Sequence, residues 1–451
     1  MRYVSTRGKA PPSPFCDSLL RGLASDGGLA MPEAWPRPGG VAGKSYADAA
    51  HAVLSLFADT DNLRADIGAA YAGFGDPAIA PLVEFGNGRY LLELFHGPTF
   101  AFKDIAMQVL ARMFARALAA RGGRATILAA TSGDTGSAAI AAFGGLAQVD
   151  LFVLHPKGRI SEVQRRQMTT ADFANVHNIA LEGTFDDGQS IVKALFADAA
   201  FVAETALTAV NSINFARIAA QIVYYFTAAA HLKAPPVFVV PTGNFGDVFA
   251  GEAAMRMGLA AKGLVVATNA NDILARALDT GVYEPGEARL TLSPSMDIQV
   301  ASNFERALFE ASGRDADWTS AAMAAFARTR RLVVPARVLG NLRARYSAHA
   351  VGDSETLDVI ARVHRRHGRL IDPHTAVAWA AADRLDTEAP VVVLSTAHPA
   401  KFPGAVEKAC GVAPEMPGRL REVFVRRERF DVLPPDTSAV RDYIRARVQK
   451  P

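Results

Sequence analysis

The 451-residue chain is poor in several things that would point to particular functions. It has two cysteines, Cys16 and Cys410, too few for a disulfide framework or a zinc cluster. Reduced, packed thiols and no bound metal are expected. No run approaches the roughly 18 apolar residues of a membrane span, so no membrane association is expected. The formal net charge is only +3, and no basic stretch has aromatics interleaved, which argues against nucleic acid as a partner. The opening "MRYVSTRGKAPPSPF" holds no apolar core of signal-peptide length, and a cytoplasmic protein is expected. There is no internal repeat, and no low-complexity block beyond alanine-rich helices. Lysine is scarce as well, ten residues against 38 arginines. A lysine inside a motif therefore carries more information here than usual.

What is present is a globular composition, 50% hydrophobic and 21% charged, on a chain long enough for two or three buried cores. Near the start, "SYADAAHAVLSLFA" carries apolar residues at helical spacing. A different rhythm follows. "RYLLELF" (89–95), "ATILAAT" (125–131), "VDLFVLHP" (149–156), "PPVFVVPTG" (235–243), "GLVVATN" (263–269) and "APVVVLST" (389–396) are short apolar runs that end in turn residues. Helical stretches lie between them. This alternation predicts α/β layers around mostly parallel sheets. The expected division is an α-rich region at 1–88, α/β domains at 89–225 and 226–412, and a C-terminal extension at 413–451. The charged tail beyond 415 reads as peripheral.

Three strand ends carry groups suited to chemistry. In "ILAATSGDTGSAAIAAFGG" (127–145) an apolar strand runs into Thr131, Ser132, Gly133, Asp134, Thr135 and Gly136 before an alanine-rich helix. Glycines expose backbone N–H groups, the helix start adds positive potential, and the hydroxyls of Ser132 and Thr135 are further donors, which together make an anion cradle. A plainly capped helix uses the same residues. In "VFVVPTGNFGDVFAGEAAMRMG" (237–258) the loop Gly243, Asn244, Phe245, Gly246 repeats the construction. It lacks the ending of an ATP-binding P-loop and the spacing of a dinucleotide fingerprint, so a small phosphate ester fits better; a tight strand–helix turn is the plain alternative. In "VVVLSTAHPAKFP" (391–403) a strand delivers Ser395 and Thr396 at its carboxyl end, where open α/β sheets collect ligands, with His398 and Lys401 nearby. A polar turn would look the same.

Lys103, in "HGPTFAFKDIAMQ" (96–108), sits where a helix begins. A helix start carries partial positive charge and is a poor place for an ammonium group. Apolar residues at 105, 109, 110, 113, 114 and 118 mark one buried face of that helix. Positive potential and burial both lower the amine's proton affinity, and a neutral amine is what Schiff-base chemistry needs. A lysine whose head snorkels to water is the alternative. Two cradles and an activated lysine match pyridoxal phosphate, which needs an aldehyde partner, a phosphate cradle and a partner for its ring nitrogen.

The segments "YVSTRG" (3–8), "LLRGLASDGGLAMPE" (19–33), "HGPTFAFKD" (96–104), "TSGDTGSAA" (131–139), "NSINFARIAAQ" (211–221), "PTGNFGD" (241–247), "SPSMDIQVASNFERALFE" (293–310), "IDPHTAV" (371–377) and "STAHPAKF" (395–402) occur in this order. In that order the chain resembles the threonine synthase family, in its longer bacterial and fungal form, over nearly its whole length. The resemblance implies the tryptophan-synthase-β-like fold, fold type II of the pyridoxal-phosphate enzymes. It also implies conversion of O-phospho-L-homoserine and water to L-threonine and phosphate. By that likeness Lys103 bonds the cofactor aldehyde, and Gly243, Asn244, Phe245 and Gly246 wrap the cofactor phosphate with Asp247 at the loop's end. Thr396 faces the ring nitrogen. Ser132, Gly133, Asp134 and Thr135 lie beside the substrate carboxylate and the ring hydroxyl. Position 134 is Asp where shorter relatives often have Asn, and 247 is Asp where some have Asn. A carboxylate beside a phosphate is unfavourable, so Asp247 is expected to use its backbone N–H or to point away.

The substrate phosphate needs its own cationic site. Lys157 and Arg159 in "HPKGRIS" are candidates, as are Asn211, Asn214 and Arg217 in "NSINFAR". His374 follows Asp372 and Pro373, an ordinary helix-start pair, and reads as structural. The alternatives are another lyase of the same fold, such as a serine or threonine dehydratase or a phospholyase giving 2-oxobutyrate, a non-catalytic cofactor-binding homologue, and an unrelated α/β phosphate-binding module. A monomer or small homo-oligomer is expected.

Overall fold

The computed structural model describes residues 1–58 and 60–449, and two parallel-rich sheets organise it. From one edge, the larger sheet runs Tyr346–Ala350, Gly263–Thr268, Val237–Pro241, Val391–Ser395, Arg89–Glu93 and Leu82–Gly86. Its neighbours are parallel except the last pair, which forms an antiparallel hairpin. The smaller sheet runs Asp431–Leu433, Val176–Leu181, Val149–Pro156, Ala125–Ala130 and Leu207–Thr208, parallel throughout.

Both sheets are covered on two faces, which explains the unbroken apolar runs. Val149–Pro156 is buried along its whole length. Alternate side chains then serve different cores. Val240 and Val266 of the larger sheet join Ile127 and Leu151 of the smaller one in a central apolar cluster. That cluster also holds the helices Lys103–Ala119, Phe215–Ala230 and Gly246–Arg256. Val239 and Val265 face a second cluster with the helix Pro373–Ala382. Leu128 and Phe152 face a third, closed by Val440 and Ile444.

Three features differ from the sequence expectation. The leading region has the helices Phe15–Arg21, Tyr46–Leu54 and Leu63–Tyr71, but also a three-stranded antiparallel sheet of Ser13–Pro14, Arg2–Ser5 and Ala30–Pro32. Strands that short show no alternation to read. Arg89–Glu93, grouped by sequence with the smaller sheet's segments, bonds to Val391–Ser395 and so lies in the larger sheet. The charged tail is not merely peripheral, since Asp431–Leu433 adds an edge strand and Thr437–Arg445 buries Val440 and Ile444. Lys450 and Pro451, the end of the expected extension, lie outside the described residues. Among the described residues no helix is long and apolar enough to cross a membrane.

Candidate active site

Backbone pairing places Lys103. The Phe102 N–H donates to the Thr396 carbonyl at 2.8 Å, Ala101 bridges to Ala397, and the His398 N–H donates to the Phe100 carbonyl at 3.1 Å. The turn before the lysine is thereby joined to the loop after Val391–Ser395. Asp104 braces the turn from inside, with its carboxylate accepting the Thr99 N–H and hydroxyl, each at 2.7 Å. Burial pushes that carboxyl up to about 6 although both Thr99 bonds oppose it. Gly97 has to be glycine, since a Cβ there would fall 2.4 Å from the Asp104 Cβ.

Lys103 is the first residue of its helix and is 9% exposed. Its Nζ lies 3.7 Å from Asp134 Oδ2. Burial drives its proton affinity below the usual lysine range; Asp134 opposes this, while Arg217 and Lys401 push the same way. Asp134 starts the helix Asp134–Phe143 and is itself buried. Its Oδ1 takes Lys401 Nζ at 2.7 Å and Gln164 Nε2 at 2.9 Å, and its Oδ2 accepts Ser295 Oγ at 3.3 Å. Burial would raise this carboxyl, but Lys401 and Lys103 together hold it far below the usual range.

The loop around Asp134 keeps donors in reserve. Thr131 Oγ1 accepts the N–H groups of Gly133 and Gly136 at 3.0 and 2.9 Å. Gly133 has φ of +140°, and a Cβ there would strike the Gln164 side chain at 2.4 Å. The Ser132 and Thr135 hydroxyls are half-buried and bond to no other described residue.

The loop Gly243, Asn244, Phe245, Gly246 opens the helix Gly246–Arg256. Phe245 is left-handed at φ +64° and buried against Phe304 and Tyr346. The Asn244 carbonyl accepts both the backbone and the side-chain N–H of Asn303 at 3.0 Å. A Cβ at Gly243 would lie 2.7 Å from the Ser295 carbonyl oxygen, so this loop packs on the segment that also touches Asp134. Asp247 turns one oxygen to the hydroxyls of Tyr224 and Tyr225, at 2.5 and 3.0 Å, while its Oδ2 is buried without a partner. Burial raises this carboxyl to about 6 even though both tyrosines and Lys103 act to lower it.

The remaining sequence candidates separate clearly. Arg217 is buried, its Nε and Nη1 have no hydrogen-bond partner, and burial lowers it to about 10. Asn214 is fully occupied as a helix cap, donating to the Leu19 carbonyl and accepting the Ala216 N–H. Lys157 is half exposed and paired with Glu182 at 2.9 Å, and Arg159 and Asn211 are exposed. Thr396 is 6% exposed, and its hydroxyl bonds to no other described residue. Asp372 caps the helix Pro373–Ala382 and holds His374 Nδ1 at 2.8 Å, while His374 Nε2 accepts the Ser295 N–H at 3.2 Å. Gln164, Ser295 and Lys401 all reach Asp134 from distant segments that no local pattern links to it. The scarcity of lysine was the available signal for Lys401.

Residues 2–71 match the family profile "Threonine synthase N terminus", 81–336 match "Pyridoxal-phosphate dependent enzyme", and 375–444 match "Threonine synthase, C-terminal". A threonine synthase from Pseudomonas aeruginosa is 49% identical, with 98% of each chain covered. The crystal structure of pyridoxal-phosphate-bound threonine synthase from Brucella melitensis superposes at a TM-score of 0.96, with 48% identity and 100% of both chains covered. Yeast threonine synthase gives 0.92 and 34% identity, with 99% of this chain and 98% of that one covered.

Proposed function

The chain belongs to the threonine synthase family, and on that premise we propose that it converts O-phospho-L-homoserine and water to L-threonine and phosphate. It is a pyridoxal-phosphate-dependent lyase with fold type II, and its substrate is a small molecule. We further read it as a cytoplasmic enzyme, working as a monomer or small homo-oligomer, with its two α/β units meeting around the cofactor.

The residues present fit that cofactor. An aldehyde needs an uncharged amine, and burial presses the Lys103 amine to shed its proton. A phosphate needs exposed N–H groups at a helix start, which the Gly243–Gly246 loop opens. A buried guanidinium with two unpaired nitrogens needs an anion, and Arg217 is that group. This last observation carries the reading furthest, because nothing described in the protein satisfies it.

When bound, pyridoxal phosphate supplies a carbonyl that captures an amino group and a conjugated ring that spreads negative charge from Cα. Lys103, once free, is the general base that takes the Cα proton and returns it. Its burial keeps water from competing for that proton. Ser132, Gly133 and Thr135 hold the substrate carboxylate, and two unpaired hydroxyls favour them for this. Asp134, held as a carboxylate, would accept a hydrogen bond from the ring hydroxyl. Thr396 would offer the cofactor's ring nitrogen a neutral hydroxyl, which fixes no proton there and would restrain side reactions such as transamination. Arg217 anchors the substrate phosphate. We leave Lys157 and Asn214 out of that site, since each is engaged elsewhere.

Incubation with O-phospho-L-homoserine should release threonine and phosphate in equal amounts. Release of 2-oxobutyrate in place of threonine would overturn the assignment in favour of a phospholyase.

A further inference from the structure

Lys401 has no role in the chemistry above, yet it is completely buried beside it. It lies in the short helical turn Pro399–Lys401, and its Nζ bonds Asp134 Oδ1 at 2.7 Å and the Thr99 carbonyl at 2.8 Å. The same carboxylate is 3.7 Å from Lys103 Nζ. Two lysines thus compete for one buried carboxylate, and a single negative charge neutralises only one ammonium. Coulomb attraction varies inversely with distance, so the pair at 2.7 Å outweighs the pair at 3.7 Å by roughly a third before its direct hydrogen bond is counted.

We propose that Lys401 is a positioning residue: as the standing counter-ion of Asp134 it denies that carboxylate to Lys103, leaving the Lys103 amine unprotonated and free to attack a carbonyl carbon. The inference rests on reading Lys103 as the reacting amine. The other charged groups around the pair are consistent with it. Arg217, on Phe215–Ala230, disfavours a second ammonium at Lys103. Asp247, on Gly246–Arg256, also faces Lys103, but two tyrosines hold one of its oxygens. Asp104 and His398 face Lys401, and Asp104 is anchored to Thr99, the same residue whose carbonyl takes Lys401. Without Lys401, Asp134 would turn to the remaining lysine and hold it as an ammonium.

Competitive acetylation tests this on the full-length protein stripped of cofactor. Acetic anhydride is applied across a pH series, and Lys103 modification is read by peptide mass. Lys401→Met should raise the labelling midpoint of Lys103 by at least about one pH unit, or roughly tenfold less labelling near neutral pH. Lys401→Arg should restore the wild-type midpoint, which a merely space-filling role would not require. An unmoved midpoint in folded Lys401→Met overturns the proposal. Should that variant fail to fold by circular dichroism, Asp134→Asn decides. Lys103 then faces Lys401 and Arg217 with no carboxylate between them, and its midpoint should fall; an unmoved or raised midpoint overturns the proposal. No cofactor is needed for the labelling, so failure here is separate from failure of Lys103 to bind one.

Discussion

Residues 131–136 and 243–247 share one local plan: an apolar parallel strand, a glycine loop, and an aspartate in the first turn of the next helix. From local sequence the two loops are near twins. In the folded protein their aspartates behave in opposite ways. Asp134 meets two lysines and is held ionised, whereas Asp247 meets two tyrosine hydroxyls and is raised to about 6. Burial penalises the charge of both. At Asp134 the charges of Lys401 and Lys103 override burial, whereas at Asp247 the two tyrosines of Phe215–Ala230 oppose burial without overcoming it. A cradle's charge is therefore set by what packs over it, and the loop motif alone does not decide it.

The comparison can be broken first at the amine that feels both aspartates. Lys103→Ala should lower threonine formation by about 10²–10⁴-fold or more, measured as steady-state phosphate release. A residual rate within tenfold of wild type would remove Lys103 from the chemistry.

Exchanging each carboxylate for an amide separates the twins. Asp134→Asn strands the buried Lys401 ammonium and should cost about 3–5 kcal/mol in urea unfolding. Asp247→Asn keeps an acceptor for the tyrosines and leaves no buried charge unpaired, so it should cost no more than about 1 kcal/mol. Equal losses would mean that the two sites are electrostatically alike.

Stability against pH sharpens the same contrast. The folded Asp247 carboxyl is raised to about 6, above the unfolded value of about 3.9. The folded state therefore holds a proton that the unfolded chain has lost between roughly pH 4 and 6. The stabilisation from that proton is complete below about pH 4 and is lost as pH rises through 6, an amount of about 2–3 kcal/mol. Asp104 is raised likewise and adds a fall in the same window. Asp134 is depressed, so its contribution is present above about pH 4 and lost as pH falls further. Asp247→Asn should flatten the fall between pH 4 and 6, and Asp134→Asn should leave it in place. Unfolding midpoints across pH 4–8 check this.

The smaller of the two effects on activity concerns the cation that neither aspartate engages. Arg217→Met should lower kcat/KM for O-phosphohomoserine by about ten- to a hundredfold, the loss of one charge-assisted hydrogen bond or slightly more. An unchanged kcat/KM would leave its two unpaired nitrogens without an anion.

Features that depend on a few neighbouring residues were legible in the sequence. Lys103 at a helix start, the glycine loops and the strand–helix alternation are all local. So was the helix start at Asp372 and Pro373, which those two residues signal by themselves. What stayed hidden was long-range. Nothing near Asp134 announces Lys401, Gln164 or Ser295. The strands Arg2–Ser5 and Ala30–Pro32 are too short to show a period, and Arg89–Glu93 reveals its sheet only through Val391–Ser395. Asn214 looked like a ligand because its side chain is polar, and only the folded chain shows both its amide atoms already used.

The two buried lysines allow the most direct test of all. Borohydride reduction of the purified protein carrying pyridoxal phosphate, followed by peptide mass mapping, fixes the cofactor to the residue that holds it. The expected result is one modified peptide containing Lys103, with loss of the visible absorbance band in Lys103→Ala. Modification of Lys401, or an unchanged band in Lys103→Ala, would contradict the assignment on which the rest depends.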